Sequence, residues 1–230
     1  MPSRNSAVRE RPWTLPTHQW RSRRNRDRLL KIGERVFAMY GFADAHVSEI
    51  AALAGCSIGS FYRRFRDKEA LFMALQDDMS DQSEENIEKF FAHPTCQTAS
   101  LTWICFRLTG NTSAEMARIK GYYRALLEIS LRGGKVWQRT RLLERLQAER
   151  LRGLLLQRNF AHLRPDFIPA VASAIRMINE NQVSLMLHGS GPFRHSEPAA
   201  TCEHTRVLMD VAGIPIDEAE LKRLRRRRRR

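Results

Sequence analysis

Signals for β-structure are nearly missing from this sequence. Alternating runs of β-branched residues are scarce, and the N-G and D-G dipeptides that close tight hairpins do not occur. No apolar run approaches the 18 or so residues needed to cross a bilayer as a helix. The four cysteines, at positions 56, 96, 105 and 202, form no C-x-x-C pair and no closely spaced framework, which fits reduced thiols. His93 and Cys96 are interrupted by Pro94, and Cys202 and His204 would diverge on a helix, so neither pair has metal-site spacing. A Walker loop and a G-x-G-x-x-G pattern are also missing, and "RGGKVW" at 132–137 reads as a loop rather than a phosphate cradle. The expectation is a chain with no catalytic residues, no metal and no cofactor. Its first residues lack the apolar segment of a secretory signal, so a cytoplasmic location is expected.

What is present is helical periodicity and unevenly placed charge. With 230 residues, 43% of them hydrophobic, the chain can bury a core for one or two domains. The formal charge is +14. Residues 1–28 hold eight arginines against Glu10 and Asp27 and contribute +6; residues 225–230 are six arginines and contribute +6 more. Only +2 remains for residues 29–224, so the body is near neutral and its ends are cationic. Cationic ends without an amphipathic or lipidation signal favour nucleic acid over membrane as partner, with a solvated tail as the other reading of the terminal arginines.

Apolar residues recur at i, i+3, i+4 almost throughout, which predicts an all-α protein. A first helix is expected near 23–40, where Leu29, Ile32, Val36, Phe37 and Tyr40 form a stripe and Gly41 can cap the end. Short helices near 47–54 and 58–65 precede a long one from Asp67 towards Phe91. Beyond a loop at "HPTCQTA", helices are expected near 99–109, 113–131, 135–159, 166–189 and 198–212. The breaks between them fall at Gly110, at Gly133 and Gly134, at Pro165, at "HGSGP" and at Gly213. The organisation read from this is a basic arm at 1–22, a compact unit at 23–70, a larger helical unit at 71–216 and an arginine-rich tail at 217–230.

The most informative stretch is "VSEIAALAGCSIGSFYRRF", residues 47–65. Ile50, Ala51 and Ala54 supply one helix with a buried face, and Gly55 can take the positive φ of a tight turn. Ser57 suits the N-cap of the next helix. Ile58, Phe61 and Phe65 would then anchor that helix, leaving Ser60, Tyr62, Arg63 and Arg64 outside. An anchored helix followed by one that offers short polar groups and cations is the arrangement of a helix-turn-helix.

"FAMYGFADAHVSEIAALAGCSIGSFYRRFRDKEALF", residues 37–72, resembles the N-terminal DNA-binding domain of TetR-type (tetracycline-repressor-like) regulators. The resemblance rests on Phe37, Ala38, Gly41, Phe42, Val47, Ile50, Ala51, Ala54, Gly55, Ser57, the run Gly59 to Tyr62, Phe65, Lys68, Glu69 and Leu71, and covers about 45 residues. It implies a three-helix helix-turn-helix domain followed by a larger helical ligand-binding and dimerisation domain. It further implies that Ser57, Gly59, Ser60 and Tyr62 meet the major groove, and that Arg64 and Lys68 meet phosphates; for Lys68 a solvated helix start is the other reading. Three positions depart from the family pattern. His46 stands where a capping Ser or Thr is usual, which weakens its phosphate role and leaves Asp44 or a His46–Glu49 pairing to cap. Gly33 replaces an alanine, at up to about 1 kcal/mol of helix propensity. Ala45 replaces a threonine. The segment "WRSRRNRDR" at 20–28 is expected to act as an arm along the minor groove.

For the remaining two-thirds, the resemblance implies a homodimer built on the last long helices and a small-molecule pocket. Val171, Ile175, Ile178 and Leu185 form a stripe that fits a dimer interface or the protein's own core. Trp103, Phe106, Met116, Tyr122, Tyr123 and Trp137 fit an effector pocket or plain core. The functional expectation is a repressor that binds a palindromic double-stranded operator, modulated by a small molecule and without a membrane partner. The alternative is an architectural DNA binder without sequence preference; an enzyme built on the C-terminal domain lacks any motif to support it.

Overall fold

The computed structural model describes residues 20–160, 162–189, 194 and 197–227. Among them are eleven helices: α1 Trp20–Tyr40, α2 Val47–Leu53, α3 Ile58–Tyr62, α4 Lys68–Ala92, α5 Pro94–Thr98, α6 Leu101–Arg118, α7 Lys120–Leu131, α8 Gln138–Gln157, α9 Phe167–His188, α10 Pro198–Ala212 and α11 Glu218–Arg227. The described residues contain no strand. No helix among them is long and apolar enough to cross a membrane.

Two apolar cores lie along the molecule, and α4 runs through both. The first joins Leu29, Val36 and Phe37 of α1, Ile50 of α2, Phe61 of α3 and Leu71, Phe72 and Leu75 of α4; it also takes in Tyr122, Ala125 and Leu126 of α7. Phe37, Phe42 and Phe72 meet ring to ring at 5.5 to 6.4 Å, and Tyr122 stacks on Phe72 at 5.7 Å. Such aromatic clusters add to simple burial through edge and offset contacts. The second core gathers Ile87 and Phe91 of α4, Ile104 and Leu108 of α6, Leu151 and Leu155 of α8, Val171 and Ile175 of α9 and Leu208 and Met209 of α10.

Local chemistry sets most helix ends. Gly41 and Gly55 adopt φ of +83° and +65°, the left-handed turn that lets the chain leave α1 and α2. Asp67 caps α4 by accepting from the Ala70 amide at 2.7 Å, and Ser100 caps α6 by accepting from Trp103 at 3.0 Å. At Gly33, a departure within α1, an added Cβ would lie 2.7 Å from a methyl of Leu71 on α4, a side-chain end that would have to shift.

Several expectations are corrected. Helix α1 begins at Trp20, so residues 20–28 are a helix start rather than an extended arm; residues 1–19 lie outside the described ones. The "PTCQT" segment is the short helix α5, opened by Pro94, whose fixed φ suits a first turn. No break occurs at Gly110: α6 runs unbroken from Leu101 to Arg118, with Gly110 buried and the neighbouring Thr109 hydroxyl 3.1 Å from that of Thr205 on α10. The break falls instead at Ile119, φ −117° and ψ 41°, between α6 and α7. Val171, Ile175, Ile178 and Leu185 are 0 to 6% exposed and face the protein's own interior, so they are not the dimer surface.

Candidate nucleic-acid interface and ligand cleft

The turn between α2 and α3 closes through backbone bonds from Gly55 to Ala52 and from Cys56 to Ala51, both 3.0 Å. Ser57 then accepts from the Ser60 amide at 3.2 Å, and the two hydroxyls lie 3.0 Å apart. Arg63 donates to the Ser60 hydroxyl at 2.7 Å, so serine, serine and arginine form one polar chain along the outer side of α3. Beneath it Phe61 is fully buried, 5.7 Å from the ring of Phe65. Tyr62 is half exposed and holds its ring edge-on to Phe61 at 5.5 Å. Ser57, Gly59, Tyr62 and Arg63 thus face outward together, with Ser60 partly covered between them.

Four residues stand differently from expectation. Arg64 is only 6% exposed. Helix α3 ends at Tyr62, and the next residues tighten through bonds from Arg64 and Phe65 back to the Phe61 carbonyl, which swings Arg64 inward beside α1. Burial there, with Arg26 close by, pulls its pKa down. Ile58, expected to anchor α3, is 48% exposed. Lys68 donates to the carbonyls of Phe42, Ala43 and Ala45 at 2.7, 2.7 and 3.1 Å. Its three N–H donors are therefore engaged in holding the α1–α2 connection, which removes it from the phosphate-contact set. His46 occupies the N-cap of α2 through its carbonyl alone; its exposed imidazole caps nothing, and Glu49 accepts from the Tyr40 hydroxyl instead.

The arginines of α1 are partly structural as well. Arg26 grips Asp78 of α4 with two bonds at 2.6 and 3.0 Å, and Arg28 donates to the Ala54 carbonyl at the end of α2. These bonds fix α2 and α4 against α1 rather than leaving the charges for a groove.

In the larger part of the molecule, a cleft of about 800 Å³ opens between α4, α6, α7 and α8. Trp103, Met116 and Tyr123 line it. Phe106 does not: it packs with Cys202 and Leu221 under α11. Tyr122 is buried on Phe72, with its hydroxyl accepting from Gln76. Trp137 borders a separate, much smaller space and donates to Ser130 at 2.7 Å. Sequence reading missed Arg107, Glu144 and Asn179, which supply polar groups to the wall. Glu144 is buried and held by Arg176 at 3.0 Å, and burial pushes its carboxyl up.

The cleft and the helix-turn-helix share one mechanical connection. Helix α7, whose Tyr123 lines the cleft, is fastened to the end of α1 at three points. Gly121 donates to Glu34 at 2.9 Å, Arg124 donates to the carbonyls of Ala38 and Met39, and Glu128 accepts from the amides of Phe42 and Ala43 at 2.7 and 2.9 Å. The cation on the last carbonyls of α1 satisfies groups that a helix C-terminus leaves open, and the Glu128 carboxylate takes up two amides of the α1–α2 connection.

Residues 29–75 match the family model described as bacterial regulatory proteins, tetR family. The N-terminal domain belongs to the tetR family. A curated HTH-type transcriptional regulator of Bacillus subtilis (strain 168), YerO, is 39% identical over 70 residues, covering 29% of this chain and 24% of YerO. The chain thus spans about a quarter of the length of that relative. Beyond the tetR-type domain the likeness is one of fold. A TetR-family transcriptional regulator of Mesorhizobium loti superposes with a TM-score of 0.61 at 20% identity, covering 85% of this chain and 96% of that one. SmeT, the repressor of the Stenotrophomonas maltophilia multidrug efflux pump SmeDEF, superposes with a TM-score of 0.51 at 20% identity, covering 81% and 86%.

Proposed function

We propose that the protein is a cytoplasmic, homodimeric transcriptional repressor that reads a palindromic operator with α3 and releases it when a small molecule fills the cleft. The observation that carries this reading is the division of α3: Phe61 is locked in the core while Ser57, Gly59, Tyr62 and Arg63 face outward on the adjoining surface. A helix presented in this way offers hydroxyls to base edges and a guanidinium to phosphate. Two such helices about 34 to 36 Å apart in a dimer would meet successive major grooves. Of the arginines on which the architectural alternative draws, Arg26 and Arg28 are engaged within the fold.

Tyr62→Ala tests the reading. Selection of bound fragments from genomic DNA would supply the operator, and fluorescence anisotropy would measure affinity. The variant is expected to lose roughly tenfold or more, on the scale of about 1–3 kcal/mol for one specific base contact, with an unfolding midpoint unchanged. Full affinity in Tyr62→Ala would remove α3 as the reading element.

The dimer surface is reassigned to the outer side of α9 and α10. Asn181 and His204 meet at 2.9 Å, each about a third of a helix from the link between the two, so the helices run antiparallel. One turn further from that link, Met177 is 57% and Val207 42% exposed. Exposed apolar residues among the otherwise polar exposed positions of these two helices fit a two-fold contact. Met177→Glu combined with Val207→Glu is expected to give a monomer by analytical ultracentrifugation while the helical circular dichroism is retained; a dimer of unchanged affinity would exclude this face.

Release would follow from the α7 connection. A ligand that moves Tyr123 displaces the helix fastened to the end of α1, which turns α3 in its groove. Such a change requires the ligand to favour the displaced state over the operator-bound one.

A further inference from the structure

We propose that the cleft selects an amphipathic organic anion, with its charged head on Arg107 and its apolar body between α4 and α6. This inference rests on the cleft's being the effector site. The charges around the cleft divide unequally. Arg118 is paired with Glu115 through bonds of 3.0 and 2.5 Å, Lys89 with Glu85 at 2.7 Å, and Glu144 with Arg176 at 3.0 Å. Arg107 alone among these is left without a carboxylate; among the described residues its contact is with the face of Trp103, its guanidinium carbon 5.9 Å from the ring centroid. A guanidinium over an indole face does not use its N–H donors on a carboxylate, and its planar fork can meet an oxyanion through two parallel bonds.

The rest of the lining agrees with a ligand that is mostly hydrocarbon. Ile87 and Phe90 of α4 and Leu108 and Met116 of α6 line the space, and its volume of about 800 Å³ lies within the range of pockets that enclose a small organic molecule. A cationic ligand would look to Glu144, but that carboxylate is already neutralised by Arg176, and displacing Arg176 would leave a buried charge. An uncharged ligand would gain only a hydrogen bond from Arg107, without the attraction of opposite charges. The favoured chemistry is therefore a long-chain monocarboxylate or a comparable lipophilic acid.

Three probes with one chain length separate these cases: dodecanoate, dodecan-1-ol and dodecyltrimethylammonium, each below its micellar concentration, titrated calorimetrically into the full chain. Dodecanoate is expected to bind at least tenfold more tightly than the alcohol, and Arg107→Gln is expected to remove that preference, since a hydrogen bond to a charged group supplies a difference of this order. Arg107 is exposed, so its variant should unfold at the parent midpoint. Equal binding of acid and alcohol, tighter binding of the ammonium, failure of all three to bind, or an unaltered preference in Arg107→Gln would each overturn the proposal. Operator affinity is read in parallel. Arg107-dependent binding without operator release would retain the ligand class and reject the effector role; Tyr62-dependent operator binding without dodecanoate binding would retain the regulator and reject the ligand class.

Discussion

Gly121→Ala is expected to destabilise the protein by about 3 kcal/mol, at the upper end of what an overpacked methyl costs. Gly121 stands at the start of α7 where it crosses α1, and a Cβ there would lie 2.0 Å from the Glu34 carbonyl oxygen, 2.6 Å from the Ala38 nitrogen and 3.0 Å from the Ala38 Cβ. Two of these atoms are helix backbone, which cannot swing aside as a side chain can. The two helices must therefore separate, and the bonds of Gly121 to Glu34 and of Glu128 to Phe42 and Ala43 stretch with them. For a chain of this size the unfolding midpoint should fall by roughly 2–4 °C per kcal/mol. Gly153→Ala is the matched control: it sits within α8 with nothing within 4 Å of its added Cβ, so the same substitution should stabilise by up to about 1 kcal/mol. Thermal unfolding of both variants checks the pair. Equal effects would show that α1 and α7 do not approach this closely, and with that the proposed route from cleft to operator helix would fail.

Phe61→Ala should cost still more, about 3–5 kcal/mol, the usual range for removing a buried aromatic. Phe61 is wholly buried, and its ring contacts those of Phe65 and Tyr62 at 5.7 and 5.5 Å. Helix α3 has five residues and too few internal bonds to stand alone, so this side chain holds the operator-reading surface in place. The variant is expected to lose operator binding together with cooperative unfolding of the N-terminal core, measured by denaturant titration. Its neighbour provides the contrast: Tyr62→Ala should lose affinity with stability intact. A Phe61→Ala protein within 1 kcal/mol of the parent would mean that α3 is held by other contacts.

The parts of this protein that were legible in advance are those governed by a few adjacent residues. Gly41 and Gly55 could be read as turns because only glycine takes their positive φ without strain, and Ser57 as a cap because it meets an amide three residues on. Phe61 and Tyr62 could be assigned to opposite sides while α3 kept its period. Arg64 could not, because its direction depends on α3 stopping at Tyr62, where no glycine or proline marks a stop. Lys68 was legible as a cation at a helix start; that three carbonyls of the α1–α2 connection would surround it was not.

The all-α class, the helix-turn-helix register and the cationic ends were determined by sequence alone, since periodicity, capping and charge are properties of neighbouring residues. Tertiary structure alone decided which face of α9 is core, that Gly110 lies within a helix and Gly121 at a crossing, and that Arg107 lies over Trp103 beside a cleft. The physical reason is that a helix's apolar stripe specifies that it will be buried but not against what. That choice depends on the helices arriving from elsewhere in the chain.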